Sequence, residues 1–312
     1  MIVHLCRSPI AGAAWSAAEA FREAGYDSIA ITPTRYNDGR VMPRHEDWPP
    51  GKREIGIIRD AELIFCHQGR PYRESWYPRG RPTVVWYHSQ PVPGHIDRAA
   101  ELAGWPWGVE AQHQTRLYPG CVPLPNLIPL CHPWYQPQTK AQPFTIAYSP
   151  SNRTLGGWDN KGYAVTIAAL GAVHERTGAR IDVIEGRQLE ECLRRKAQAH
   201  VVIDEVVTGA YHRSSLEGLA MGCVVINACD ELCAANIKTV CGAEHPFALA
   251  SPDSLAAMLC DMVRAGPDAA EAVGRQNRAW MEAHWRPDDL IAHNLKPLME
   301  EAEAIAWRSS SN

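Results

Sequence analysis

A chain of 312 residues, 46% hydrophobic and 21% charged, can bury a core large enough for about two ordinary domains, which excludes a disordered, fibrous or collagen-like polymer. Lys and Arg number 31 against 35 Asp and Glu, a formal net charge of −4, so no global field singles out nucleic acid or an anionic membrane as partner. The 10 cysteines are scattered, with no basic amino-terminal region, long apolar run and cleavage site ahead of them, and are expected to be reduced thiols of a cytoplasmic protein rather than a disulfide framework.

In chain order, an apolar run at 1–5, a loop at 8–12, a helical stretch at 13–24 closed by Gly25 and a second run at 28–31 predict strand, helix, strand, the opening of a parallel α/β sheet. Runs at 62–66 and 83–87, each followed by Gly/Pro turn chemistry, predict two more buried strands. The uncharged stretch 117–139 has the length of a membrane span. Pro119, Pro123, Pro125, Pro129, Pro133 and Pro137 interrupt it, which excludes a spanning helix and predicts an extended connector, with a domain boundary at 130–142. No transmembrane segment is expected.

Beyond the connector the alternation restarts, with strands predicted at 144–148, 180–184, 200–203 and 223–227 and helices from 162 to about 176, at 189–199 and at 214–221. The order βαβαβ requires a parallel sheet with right-handed crossovers. Past Pro252 the pattern is mostly helical and closes with a segment at 287–307. The predicted fold class is α/β, with two Rossmann-like doubly wound domains facing across a cleft: residues 1–135, residues 136–285, and a C-terminal helix at 286–312 that packs back toward the first domain. Open parallel sheets bind ligands at the carboxyl ends of their strands, so the site is expected between the domains.

Neither GxGxxG nor GxxxxGK[ST] occurs, so a nicotinamide dehydrogenase and a P-loop phosphotransferase lose their main signal. The loop 149–162 leaves the first strand of the second domain and enters its helix, placing Arg153 and Lys161 beside a helix amino terminus that already favours an anion. It reads as a diphosphate cradle, or as a solvated loop with two surface cations. The segment 209–226 is the most specific feature. Ser214 and Glu217 have the S-x-x-E spacing of a capping box, so Glu217 either closes a helix or serves a ligand, and Gly222 stops the helix before the next strand.

Leu216–Glu217–Gly218–Leu219–Ala220–Met221–Gly222, preceded by Ser214 and Ser215 and followed by an apolar strand, resembles the "LEAMAxGxPVI" signature of GT-B glycosyltransferases, especially the family 4 type. The resemblance implies that the second domain binds a nucleotide-sugar donor, with Glu217 on its ribose and Arg153 and Lys161–Gly162 on its diphosphate, and that the first domain binds the acceptor. Val122–Pro123–Leu124–Pro125–Asn126–Leu127–Ile128 is similar to the "VPNGV" linker of these enzymes, and Pro9–Ile10–Ala11–Gly12 to their glycine loop near the donor phosphates. His88 resembles their strand-end histidine facing the transferred sugar. His67, ending the neighbouring strand, is a second candidate. Either residue orients sugar or acceptor, acts as a base, or is satisfied structurally.

The earlier glutamate of the family pattern falls at Gly209. Asp204 or Glu205 supplies that carboxylate from upstream, or backbone amides around Gly209 to Tyr211 hold the sugar instead. Arg153 and Lys161 would stabilise the departing diphosphate, an arrangement that demands no metal and no cofactor beyond the donor. Cys229, Cys233, Cys241 and His245 lack the usual zinc spacing. Trp105 and Trp107 are candidates for stacking on sugars or bases, or for packing.

The expected activity is transfer of a sugar, commonly from a UDP donor in this family, to a hydroxyl, with retention of configuration implied by the resemblance. Between Arg35 and Arg81, arginines interleave with Tyr36, Trp48, Tyr72, Trp76 and Tyr77, a face that grips DNA carrying a hydroxymethylated base or forms a salt-bridged surface. Acidic residues in the same window favour a saccharide or small-molecule acceptor over DNA. A nucleotide-sugar epimerase and a non-catalytic nucleotide-sugar-binding protein are the alternatives.

Overall fold

The computed structural model describes residues 1–8, 10–34, 42–91, 95–112, 117–150 and 162–310. The chain divides into two compact units. The first comprises Met1–Pro129, Thr239–Gly242 and Trp285–Asn312, the second Leu130–Lys238 and Ala243–His284.

Unit 1 is built on a six-stranded sheet in the order β2-β1-β3-β4-β5-β6. Its strands are β1 (Ile2–Leu5), β2 (Ser28–Ile31), β3 (Leu63–His67), β4 (Thr83–Tyr87), β5 (Trp107–Glu110) and β6 (Val122–Leu124), all parallel. Every residue of β1, β3 and β4 is buried, the reason these segments read as continuous rather than alternating apolar runs. Helix α1 (Ala13–Glu23) packs on β1 and β2, α2 (Lys52–Asp60) precedes β3, and the short α3 (Ala99–Leu102) precedes β5.

The proline-rich stretch is not all connector, because Val122–Leu124 pairs with β5 as the edge strand of the sheet. Proline is tolerated there, since an edge strand need not present every N–H to a neighbour. Leu127 and Ile128 beyond it are buried, and the Trp285 indole N–H donates to the Asn126 carbonyl at 3.0 Å.

Unit 2 carries a five-stranded parallel sheet in the order β11-β10-β9-β7-β8, formed by β7 (Thr145–Tyr148), β8 (Arg180–Val183), β9 (Val201–Ile203), β10 (Val224–Asn227) and β11 (Ala248–Leu249). Ile146, Tyr148, Val201, Ile203, Val224 and Ile226 make its core with Leu170, Val173, Leu255 and Leu259 from the helices. Those helices are α4 (Tyr163–Thr177), α5 (Leu189–Ala197), α6 (Arg213–Ala220), α7 (Glu231–Cys241), α8 (Leu255–Ala265) and α9 (Pro267–His284). The Gly218 position lets α6 settle on the sheet, because a Cβ there would stand 2.7 Å from Cγ2 of Val225.

The chain closes within unit 1 through α10 (Pro287–Leu290), a π turn at Ile291–Leu295, and α11 (Lys296–Ser310). α10 lies on α1 and α11 on β4. No described helix is long and apolar enough to cross a membrane. The 10 cysteines are free thiols.

Candidate functional site

The carboxyl edge of the unit 2 sheet is shaped by the turns after β9 and β10. The Asp204 carboxylate accepts the His212 amide N–H at 2.5 Å and the Ser215 hydroxyl at 2.8 Å, so Asp204, from outside the helix, secures the start of α6. Asn227 at the end of β10 donates its amide to the Ser215 oxygen at 2.9 Å. The capping-box reading of Ser214 and Glu217 is thereby overturned: α6 starts two residues earlier than that spacing assumes, with His212 rather than Ser214 as its N-cap.

Glu217 turns instead toward two cations. Its Oε2 lies 2.7 Å from Nζ of Lys196 on α5, and its Oε1 lies 3.4 Å from Nε of Arg213. Lys196 also donates to the Ser214 hydroxyl at 2.9 Å, and that hydroxyl is 3.4 Å from the one on Ser149, at the end of β7. Lys196 and Glu217 are both buried. Burial alone pushes an ammonium toward its neutral form, but the Glu217 carboxylate outweighs it and holds Lys196 above its ordinary value. A carboxylate has about four lone-pair sites, so two cations leave acceptor capacity on Glu217.

Lys196 was not singled out from sequence, although a signal was present. Leu189, Cys192, Leu193, Lys196 and Ala197 follow the i, i+3, i+4, i+7 stripe of α5, which puts the lysine on the buried face.

Glu205 is consumed by its own turn, accepting the amides of Val207 and Thr208 at 2.8 Å and the Thr208 hydroxyl at 2.6 Å. Both upstream carboxylates considered as replacements for a side chain at Gly209 thus have structural work. A third one is nearer. Gly209 adopts φ 77°, and a Cβ there would stand 2.6 Å from Oδ2 of Asp230, whose other oxygen accepts the Cys233 amide at 2.9 Å as α7 begins. The Tyr211 ring is fully buried near Phe247, which commits it to packing. Arg153 and Lys161 lie outside the described residues. Their loop ends at Gly162, φ 69°, where a Cβ would meet Val207 at 2.7 Å.

In unit 1, Ala11 and Gly12 adopt consecutive left-handed conformations, φ 45° and 68°, as the chain turns from β1 into α1; Pro9 lies outside the described residues. His67 and His88 belong to one buried chain of side chains that crosses neighbouring strands. His4 Nδ1 is 3.0 Å from His67 Nε2, His67 Nδ1 is 2.5 Å from His88 Nε2, and His88 Nδ1 is 2.7 Å from Glu110 Oε1. His67, His88 and Trp86 stack on one another. Burial, reinforced by the charges of His45 and His88, lowers His4 to about 3, and burial drives His67 well below its ordinary value.

Gln68, with φ 62°, holds the same edge. Its Oε1 accepts the His88 amide at 2.7 Å and its Nε2 donates to the Ser89 hydroxyl at 2.6 Å. Left-handed backbone at a non-glycine residue stores strain, and such strain gathers at functional edges. Trp105 is buried, and Trp107 packs edge-on against Tyr87, so both have packing partners. On the arginine-aromatic segment, Arg44 pairs with Asp47, Arg53 with Glu46 at 2.8 Å and Arg73 with Asp97 at 2.6 Å, so these three arginines have acidic partners.

No protein-family model matches the chain, and no curated protein matches its sequence. Among solved structures it is similar to AviGT4, a glycosyltransferase involved in avilamycin A biosynthesis, at 15% identity and a TM-score of 0.53 over 97% of this chain and 98% of that one. HepE from Anabaena, crystallised with UDP and glucose, matches at 15% identity and a TM-score of 0.59 over 95% of this chain and 99% of HepE. Sucrose-phosphate synthase from Thermosynechococcus elongatus matches at 14% identity and a TM-score of 0.51 over 99% of each chain. The chain has the GT-B fold, with two Rossmann-like parallel α/β sheets.

Proposed function

We propose that this chain is a glycosyltransferase that moves a sugar from a nucleotide-diphosphate donor, a UDP-sugar, to the hydroxyl of a saccharide or small-molecule acceptor. The observation that carries the reading is Glu217 itself. Having no part in capping α6, its carboxylate lies between Lys196 and Arg213 close behind the carboxyl edge of a Rossmann-like sheet. A carboxylate beside that edge suits the ribose hydroxyls of a nucleotide. The GT-B fold shared with HepE, whose crystals hold UDP and glucose, supports uridine as the base.

In this reading the departing nucleoside diphosphate is the group whose charge grows most in the transition state. Arg153 and Lys161 supply the cations that stabilise it, and the reaction calls for no metal. Ser214 and Ser215 act through the residues they fix, Lys196 and Asp204. The resemblance of residues 216–222 to the family 4 signature supports retention of configuration.

The test is UDP release from UDP-glucose, followed with and without a panel of sugar and polyol acceptors. Release that depends on an acceptor supports the proposal. A chain that binds a UDP-sugar yet only isomerises it, or leaves it intact with every acceptor, overturns it.

A further inference from the structure

The buried chain His4–His67–His88–Glu110 has a single consistent set of protons when Glu110 is ionised and the rings are neutral. A carboxylate oxygen can only accept, so His88 donates to Glu110 through Nδ1. His88 Nε2 then carries a lone pair and accepts from Nδ1–H of His67, whose Nε2 accepts from Nδ1–H of His4. Every imidazole N–H in the chain points toward Glu110.

Two consequences follow for a ligand at this edge. Both ring nitrogens of His88 are engaged at 2.5 and 2.7 Å, so His88 has no lone pair to offer a substrate without breaking the chain. Glu110 does, because its Oε2 makes no hydrogen bond among the described residues. Its side chain also keeps 6% of its surface exposed, against 2% for His88. It stands at the carboxyl end of β5, the edge at which open parallel sheets take their ligands.

We propose that Glu110 is the hydrogen-bond acceptor that orients the attacking hydroxyl of the acceptor substrate, and that His88, His67 and His4 are positioning residues that hold its carboxylate. The proposal rests on the glycosyltransferase reading above. It departs from the expectation that His88 itself meets the sugar or the acceptor. A carboxylate on a flexible stem loses its aim unless a donor fixes one oxygen. Here that donor is His88, whose ring orientation is in turn fixed by its stacking on His67 and Trp86 and by the Gln68 contact to its backbone.

The experiment has two readouts on the full chain. Long-range 15N–1H spectra of the histidine rings at neutral pH should show His4, His67 and His88 protonated at Nδ1 and bare at Nε2. UDP release from UDP-glucose, with glycerol as the probe hydroxyl, is then compared in wild type, His67→Phe and His67→Asn. Asparagine keeps an N–H donor at the Nδ1 position and phenylalanine does not. We expect release to fall on the order of tenfold in His67→Phe and to return in His67→Asn, with UDP affinity unchanged in both. Glu110→Ala should raise the glycerol KM and leave UDP binding intact.

An Nε2 proton on His88 in the wild type overturns the proposal. So do equal rates in the two His67 variants while UDP still binds, which shows a structural role only. A wild-type chain that neither binds UDP nor releases it removes the underlying reading as well, and that outcome is separable because the first two are read on a nucleotide-competent protein or on the rings directly.

Discussion

Nζ of Lys196 and Oε2 of Glu217 stand 2.7 Å apart, joining α5 to α6 through two buried charges. Removing one partner leaves the other charge stranded, a loss of about 3 to 5 kcal/mol, whereas removing both together costs far less. Glu217→Gln should therefore lower stability in urea by about that amount, and Lys196→Met/Glu217→Gln should recover the part that comes from stranding Lys196, Arg213 still losing the Glu217 carboxylate. If the double variant is as unstable as the two single losses added, the residues are not coupled.

Acidification should expose the buried histidines of unit 1. His4 is lowered to about 3 by burial and by the charges of His45 and His88, and His67 is lowered by burial. Between their unfolded value near 6.5 and these folded values, the unfolded chain binds protons that the folded chain refuses. Stability is therefore complete above about pH 6.5 and falls as pH drops, by about 1.4 kcal/mol per pH unit for each proton. Urea unfolding at pH 7 and pH 5 should show a smaller loss in His4→Phe than in the wild type. An unchanged pH difference would mean that His4 is not held neutral.

Two helical glycines should respond to alanine with opposite signs. A Cβ on Gly274 would meet the Gly222 carbonyl oxygen at 2.1 Å, backbone against backbone, while a Cβ on Gly171 meets nothing within 4 Å. Gly274→Ala should cost more than about 1 kcal/mol through forced separation of α9 from the end of α6. Gly171→Ala should add about 0.5 to 1 kcal/mol by restricting the unfolded chain and favouring α4. Melting temperatures that move in the same direction for both would contradict the packing described for α9.

The fully buried strands of both sheets were legible because a parallel sheet covered on both faces leaves an uninterrupted apolar run, as at Leu63–His67 and Val224–Asn227. β5 and β6 were not, since Trp107–Glu110 ends in a charge and Val122–Leu124 contains a proline that only an edge strand accepts. Glu217 stood out by its place in the 216–222 segment, but its partner did not, because a lysine in a charged helix reads as solvated until its place on the apolar stripe is counted. His67 and His88 each stand out in the sequence only as a strand-end histidine. Their linkage through His4 and Glu110 depends on which strands are neighbours, and strand order is not written in any local pattern.

Thermal unfolding with added ligand tests most directly whether the Glu217 site holds a uridine nucleotide. A ligand at 100 times its Kd stabilises by about 2.7 kcal/mol, a shift of several degrees. UDP and UDP-glucose should raise the wild-type melting temperature, and the shift should vanish in Lys196→Met/Glu217→Gln, a variant expected to stay folded. No shift with any nucleoside diphosphate, or the same shift in that variant as in the wild type, would contradict the account.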